Sequence, residues 1–239
     1  MTRNVLALTQ RELMSTFFSP VAYIVAAIFL LATGYLFMTQ TLIEGAEATT
    51  RMLLDSMAWV LVFAIPLLTM RALAEEFSSG TIEALMTAPV TDVEVVLGKF
   101  FGVLVFYVAL VFTTLVYVAL LLNFGGGDVR AIAYGYFGLL LLGSLYVAVG
   151  VFASSLTKHQ LLAALLGMGF LSVFTLLVDA FAGWKGGTWR TVLSYINIFY
   201  HFQDFSKGIM DTKSILFFLS GTVFFLFVAV KTLESRRWR

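Results

Sequence analysis

Few side chains in this sequence could carry out covalent or metal chemistry. There is no cysteine among the 239 residues, which excludes disulfides, thiolate metal sites and cysteine nucleophiles. The two histidines, His159 and His201, lie in no H-E-x-x-H motif and have no cluster of other donors, so we expect no metal site. A serine nucleophile with a histidine base is conceivable for Ser144 and His201. Ser144 lies in a long apolar run, however, where a small residue is more typical of helix packing, and we therefore expect no enzyme active site.

A nucleotide site of the P-loop type is also missing. That motif requires G-x-x-x-x-G-K-[ST], because the loop amides and the lysine hold the phosphates. The nearest match is Gly98-Lys99-Phe100, which has Val93 in place of the first glycine and neither Ser nor Thr after the lysine. We therefore expect no cofactor in this chain.

The composition excludes a soluble or disordered protein. Hydrophobic residues make up 60% of the chain and charged residues only 12%, against about 45–50% and about 25% in an ordinary soluble domain. A net charge of +1 indicates no nucleic-acid partner. The surroundings expected for this chain are those of a lipid bilayer.

Runs of residues without charge predict an all-α integral membrane protein with six transmembrane helices in one domain, residues 1–239. The predicted spans are about 20–43, 53–74, 97–123, 131–154, 160–179 and 213–232. The second and sixth are the shortest, and their terminal charges must reach the membrane interface. None of the spans has an acid or base at its centre, which argues against ion-coupled transport.

Local signals support these boundaries. Ser19 before Pro20 predicts a capped start of the first span, and Thr91 to Glu94 fits a capping box at the third. Gly125–Gly127 predicts a turn before the fourth span, and Pro66 should kink the second. Small residues in spans three and four permit close helix contacts, within the chain or between subunits: Gly98, Gly102, Gly143, Gly150 and Ser154.

The positive charges indicate the orientation. With both termini in the cytoplasm, nine Lys and Arg residues lie inside and six outside, and the tail Arg236–Arg239 contributes most of the bias. The first apolar run is too long for a cleaved signal peptide, so we interpret it as a permanent span.

Three segments outside the spans carry information. In the leader, residues 2–18, apolar and polar side chains favour different helical faces, which predicts an amphipathic helix along the cytoplasmic interface; a plain polar leader is the alternative. The apolar face consists of Leu6, Leu13, Met14, Phe17 and Phe18.

The second segment lies between spans two and three, in residues 75–92. Ser79 or Gly80 can cap a helix of about two turns that Pro89 ends. Such a helix is too short to be stable alone in water, so it must pack against its own spans or against a partner protein. The alternative is an ordinary tight loop with solvated acids.

The third segment, residues 184–212, precedes the last span and is rich in aromatic residues. We expect one or two short helices on the outer membrane interface. The segment either contributes to a substrate site or only covers the membrane surface. Its candidate residues are Trp189, Tyr195, His201, Phe202, Phe205, Gly208 and Asp211.

The stretch Glu75–Val90, followed by Glu94 and Gly98-Lys99, resembles the E-x-x-x-G-T-x-E-x-L-x-x-x-P-V loop of ABC-2 type permeases. The segments Tyr200–Lys213 and Leu233–Trp238 are similar to the gliding-motility-associated (Gld-type) branch of that family. The resemblance extends over nearly the whole chain. The large external domain of better-studied lipid and polysaccharide exporters is missing, so their substrates do not transfer to this chain.

The resemblance implies a permease subunit of a bacterial exporter in the cytoplasmic (inner) membrane. Such permeases act as pairs, identical or not, bound to two cytoplasmic ATPase subunits that hold ATP and Mg²⁺. A periplasmic or membrane accessory subunit is a further possible partner. The loop between spans two and three would carry a coupling helix at about 81–88 that docks on the ATPase. The coupling residues implied are Glu75, Glu76, Gly80, Thr81, Glu83, Leu85 and Pro89.

A second function is compatible with the same motifs. The chain could be a membrane anchor that transmits ATP-driven motion to an envelope partner while no substrate passes through it. The missing P-loop and the short cytoplasmic helix fit both functions, because each requires an external ATPase.

Overall fold

The computed structural model describes residues 2–41, 50–82, 90–123, 128–177 and 195–237, and these residues form helices and connecting turns without a strand. The predicted all-α class is therefore confirmed for the described part of the chain. Short π-helical segments, Phe37–Thr41 and Val173–Leu177, extend two of the helices. The helices are α1 (Thr2–Phe17), α2 (Pro20–Leu36), α3 (Thr50–Thr69), α4 (Ala74–Ser79), α5 (Asp92–Thr113), α6 (Leu115–Asn123), α7 (Val129–Leu156), α8 (Gln160–Ser172), α9 (Ile198–Ser206) and α10 (Thr212–Arg237).

Five helical stretches of the described residues are long and apolar enough to cross a membrane. They are Pro20–Gln40, Thr50–Ser79, Asp92–Asn123, Val129–Leu156 and Thr212–Arg236. The predicted span 160–179 corresponds to a shorter apolar helix, Gln160–Thr175, and its last two residues lie outside the described part. The chain is thus a multi-pass membrane protein, and the count of six spans stays a prediction.

The helix starts follow the local signals, with one correction. The Thr91 hydroxyl accepts from the Glu94 amide and the Glu94 carboxylate accepts from the Thr91 amide, which confirms the capping box. Asp128 caps α7 by accepting from the Arg130 amide at 2.9 Å. Ser19 does precede α2, but its hydroxyl makes no cap hydrogen bond. It accepts instead from Arg71 at 2.7 Å, because the end of α3 lies beside the start of α2. Pro66 lies inside α3, and the predicted glycine turn falls outside the described residues.

Helix α7 is the central helix of the bundle and contacts α3, α5, α8, α9 and α10. Its glycines allow these contacts, since a Cβ at any of them would lie within 2.5 Å of a side chain from a neighbouring helix. The small residues of this span therefore serve contacts within the chain. The pairs are Gly135 with Leu54, Gly138 with Phe205, Gly143 with Tyr107, and Gly150 with Thr69.

Helix α1 packs lengthwise on the first half of α5. Asn4 contacts Glu94, Leu8 lies against Gly98, and Glu12 lies against Gly102. The two numbers of each pair differ by 90, so the helices run in the same direction with matching four-residue steps. The helix itself was predicted, but its packing face was not. Leu6, Met14 and Phe18 of the predicted apolar face remain exposed.

Candidate functional site: the contacts of α4

The short helix α4 is held at its start by a serine of the central helix. The Ser154 hydroxyl accepts hydrogen bonds from the amides of Leu73 and Ala74, both at 3.0 Å, and donates to the Met70 carbonyl at 3.1 Å. Ser154 is fully buried. The turn between α3 and α4 leaves these amides without helical partners, so one hydroxyl satisfies the break.

The first acidic residue of α4 joins it to α2. Arg71 donates to both carboxylate oxygens of Glu75, at 2.7 and 2.8 Å, in a bidentate pair. The remaining guanidinium nitrogen donates to Ser19. Because the planar guanidinium fixes both partners, α4 and the start of α2 are held in one geometry.

The second acidic residue joins α4 to α1 and α5. The Lys99 ammonium lies 2.8 Å from Glu76 Oε1 and 2.7 Å from Glu12 Oε2. These side chains are close to buried, with 9 to 12% exposure. Arg11 approaches Glu76 at 3.9 Å from the solvent side. A buried lysine is stable only when its charge is paired, and here the partners come from two other helices.

The charges of this cluster balance, since Arg11, Arg71 and Lys99 face Glu12, Glu75 and Glu76. Lys99 is nevertheless shared between two carboxylates. Burial raises the pKa of Glu12, and the nearby Glu76 adds to that rise, while Lys99 opposes it. The second oxygen of Glu76 is buried without a hydrogen-bond partner among the described residues. Both carboxylates therefore depend on the position of one ammonium group.

The next residue of α4, Phe77, contacts the end of the last helix. The Arg236 guanidinium lies over the Phe77 ring, 4.6 Å from its centroid. Arg236 also donates to the Leu156 carbonyl at the end of α7. Three consecutive residues, Glu75, Glu76 and Phe77, thus contact three different parts of the bundle.

A cavity of about 260 Å³ lies between α1, α2, α4 and the adjoining ends of α3 and α5. Its lining combines the charged groups described above with hydroxyl groups and a few apolar side chains. The lining residues are Arg11, Glu12, Ser15, Thr16, Ser19, Val21, Ala22, Leu67, Leu68, Arg71, Glu75, Glu76, Ser79, Thr81 and Lys99.

The structure brings four of the predicted coupling residues together. Glu75 and Glu76 make the ion pairs, Gly80 ends α4 with a φ of 74°, and the Thr81 hydroxyl pairs with that of Ser79 at 2.8 Å. Glu83, Leu85 and Pro89 lie outside the described residues, as does most of the predicted helix 81–88.

Sequence reasoning missed Lys99, Glu12, Ser154 and Arg236 as partners of α4. One signal was available. Lys99 lies within a predicted span, where a lysine requires a buried acid from elsewhere in the chain, and Glu12 lies 87 residues away. The sequence does not indicate which acid it is.

The predicted outer segment packs onto the bundle through α9. Asn197 caps this helix by accepting from the amides of Phe199 and Tyr200. Phe202 and Phe205 are fully buried and His201 nearly so, while Tyr195 is exposed. These three buried side chains support packing rather than an open surface, and Trp189 lies outside the described residues.

A Schellman motif follows α9 and turns the chain towards α10. The Ile209 amide donates to the Asp204 carbonyl and the Gly208 amide to that of Phe205, with a φ of 77° at Gly208. Asp211 then caps α10 by accepting from the Lys213 amide at 3.0 Å.

Ser144 and His201 have different partners. Ser144 donates to the Leu141 carbonyl at 2.6 Å and approaches the Thr222 hydroxyl. His201 contacts the Ser214 hydroxyl and the Tyr195 carbonyl. The structure therefore does not bring together the serine and histidine that we considered as a nucleophile and base.

Comparison with known protein families identifies the chain's family. A family model with the description "ABC-2 family transporter protein" matches residues 10–233, which is nearly the whole chain. No curated protein matches the chain.

Proposed function

Because this chain belongs to the ABC-2 family of transporter proteins, we propose that it is the permease subunit of a bacterial ABC exporter. It would move a substrate across the cytoplasmic membrane with ATP hydrolysed by two separate ATPase subunits. A second permease subunit, identical or different, would complete the transmembrane part. On the resemblance of Tyr200–Lys213 and Leu233–Trp238, we also assign it to the gliding-motility-associated branch.

The observation that carries this proposal is the set of contacts made by α4. Glu75 connects to α2 through Arg71, Glu76 connects to α1 and α5 through Lys99, and Phe77 contacts Arg236 of α10. The predicted coupling helix, 81–88, follows directly after Gly80 in the sequence. A displacement of that segment by an ATPase would therefore change contacts with four helices.

Coupling between the ATPase and the permease has an energetic requirement. An ATPase can drive the permease only if it binds one membrane conformation more tightly than the other. Buried ion pairs suit this requirement, because separating Lys99 from its carboxylates leaves uncompensated buried charges. The α4 contacts would then exist in two discrete arrangements rather than a continuum.

In this proposal α4 and both termini lie in the cytoplasm. Helices α5 and α6 together cover 32 residues, which is about 48 Å at 1.5 Å per residue, against a hydrocarbon thickness of about 30 Å. The first turns of α5, which carry Glu94 and Lys99, can thus extend out of the membrane. The α1 helix packs on this part of α5.

A pull-down of the tagged protein in mild detergent tests the proposal. We expect a P-loop ATPase in stoichiometric amount, identified by mass spectrometry, with Mg-dependent ATPase activity in the complex. The double variant Glu83→Gln, Leu85→Ala should lose the ATPase. Tyr195→Ala is the matched control, because this exposed residue precedes α9 and should leave the complex intact.

A further variant separates docking from transmission. Glu76→Gln weakens the contact with Lys99 but leaves the predicted helix 81–88, with Glu83 and Leu85, unchanged, so the ATPase should stay bound while transport per ATP hydrolysed falls. If no ATPase is recovered with the folded protein, the proposed function is wrong. If the ATPase remains fully bound to the Glu83, Leu85 variant, the assignment of the coupling segment is wrong.

A further inference from the structure

Three polar side chains form a hydrogen-bonded chain between α9 and α10, and we propose that they act as a proton-operated latch. The Ser214 hydroxyl lies 3.3 Å from Asp204 Oδ2 and 3.2 Å from His201 Nδ1. The other ring nitrogen of His201, Nε2, lies 3.1 Å from the Tyr195 carbonyl oxygen. None of these groups takes part in the proposed coupling through α4.

The number of protons on the His201 ring decides which of these hydrogen bonds between α9 and α10 can form. A carbonyl oxygen only accepts, so Nε2 must carry a proton and donate to Tyr195. An ionised Asp204 also only accepts, so the Ser214 proton must point at it for that bond to exist. The Ser214 oxygen can then only accept from Nδ1, which requires a second proton on the ring. With Asp204 ionised and accepting from Ser214, all three bonds exist together only when His201 is an imidazolium.

Loss of the Nδ1 proton of His201 leaves too few donors for all three hydrogen bonds. The neutral ring offers Nδ1 as an acceptor, and the Ser214 hydroxyl can donate either to Nδ1 or to Asp204, but not to both. One contact between α9 and α10 is therefore lost on deprotonation. Ser214 is 1% exposed and His201 is 6% exposed, so water cannot readily replace the lost partner.

The surroundings favour this role for His201. Its ring stacks on Phe217 of α10 with 4.2 Å between centroids, and Tyr200 approaches it edge-on at 5.7 Å. Among the described residues, Asp204 is the acid that the hydrogen bonds of Ser214 connect to the His201 ring. The charged pair on neighbouring α3, Arg51 and Asp55, lies 3.6 Å apart.

The order of the three side chains also excludes a hydrolytic triad. In a hydrolytic triad the histidine lies between the serine and the acid. Here the serine lies between the histidine and the acid, and it is buried. The arrangement therefore suits a structural switch. If our proposed topology is right, the latch lies on the outer side and responds to external pH.

The chain contains two histidines, which makes a direct measurement possible. His159→Gln leaves His201 as the single histidine, and His159 is exposed and makes no cap hydrogen bond through its side chain. In this background, nitrogen NMR of the histidine-labelled protein in detergent should show that, whenever the ring is neutral, its proton is on Nε2. Acidification should add the second proton at Nδ1.

Removal of the Asp204 carboxylate tests the hydrogen-bonded chain of His201, Ser214 and Asp204. Asp204→Asn should weaken proton binding by His201 about tenfold, because the counter-charge one hydroxyl away is lost. Asp211→Asn is the matched control, since it removes an acid from the same turn while the Asn side chain can still cap α10. We expect its effect to stay within about twofold.

Two results would overturn the proposal. One is a neutral His201 protonated at Nδ1, which is incompatible with a bond to the Tyr195 carbonyl. The other is an equal effect of Asp204→Asn and Asp211→Asn, which would indicate general electrostatics instead of a specific chain. If Asp204→Asn does not fold, the proton position in the His159→Gln protein still decides. This test involves no ATPase, so it is independent of the proposed function.

Discussion

Leu8 of α1 lies directly against Gly98 of α5, so that a Cβ added to Gly98 would be 2.5 Å from the Leu8 Cβ. The same spacing recurs one turn on, where a Cβ at Gly102 would be 2.6 Å from the Glu12 Cβ. The two glycines form a groove four residues long into which α1 fits. The N-terminal helix is therefore a part of the bundle on which the charges around α4 depend.

This close contact predicts that Gly98→Ala destabilises the protein. The new methyl group would force α1 away from α5, at an expected cost of about 1–3 kcal/mol in the free energy of unfolding. Gly169→Ala is the matched control, because Gly169 lies in α8 with nothing within 4 Å of its added Cβ. This control should be neutral or stabilising, as alanine favours a helix over glycine. Thermal unfolding in detergent compares them, and equal midpoints would show that α1 does not pack as described.

Lys99 should be the most sensitive residue of the charge cluster. Lys99→Met leaves Glu12 and Glu76 buried without their cation, and breaking a buried pair in this way costs about 3–5 kcal/mol. Glu12→Gln should cost less, because Lys99 keeps Glu76. The triple variant Lys99→Met, Glu12→Gln, Glu76→Gln should recover part of the loss, since no unpaired charge remains. A triple variant as unstable as Lys99→Met alone would contradict this electrostatic account.

The buried carboxylate of Glu12 predicts a pH dependence of stability. Burial raises its pKa in the folded protein above the ordinary value of 4.5. Between these two values the folded state binds more protons than the unfolded state, so the contribution of Glu12 to the free energy of unfolding decreases as the pH rises. It is fully present below about pH 4.5 and lost above the folded pKa.

The comparison of wild type with Glu12→Gln measures the pH-dependent contribution of Glu12 to the free energy of unfolding. The free energy of unfolding of Glu12→Gln, taken relative to that of wild type, should be higher at pH 8 than at pH 4. Chemical unfolding at each pH measures this difference. Leu8→Ala perturbs the same helix contact without a titratable group, so its difference from wild type should not change with pH in this way. A pH-independent difference for Glu12→Gln would contradict the raised pKa.

The sequence predicts the features that depend on neighbouring residues. The Thr91 to Glu94 capping box and the start of α2 at Pro20 were predicted because the residues that signal a helix start lie within four residues of it, although Ser19 makes no cap hydrogen bond. The apolar runs likewise predict the long helices. Lys99 could not be assigned its partners, because Glu12 is 87 residues away and several acids were available. The cavity and the contacts of α4 depend on such long-range pairings, so they required the structure.

Ser154 should be required for the position of α4. Ser154→Ala leaves the Leu73 and Ala74 amides buried without partners, and each such group costs about 1–3 kcal/mol. Ser155→Ala is the matched control, because Ser155 makes one local bond, to the Phe152 carbonyl. Hydrogen exchange at residues 73 to 77 should accelerate in the first variant and not in the second. Unchanged exchange in Ser154→Ala would show that the serine does not hold this turn.

Gly208 and Gly80 both have a positive φ, 77° and 74°, but they differ in their surroundings. At Gly80 an added Cβ meets nothing within 4 Å, so Gly80→Ala should cost only the left-handed conformation, about 1–2 kcal/mol. At Gly208 the Cβ would also lie 3.1 Å from the Cα and Cβ of Ala131 in α7. Gly208→Ala should therefore lower the unfolding midpoint more than Gly80→Ala, and the difference measures how tightly the turn after α9 packs on α7. Equal midpoints would mean that this turn can move away from α7 without loss of stability, which the buried α9 side chains argue against.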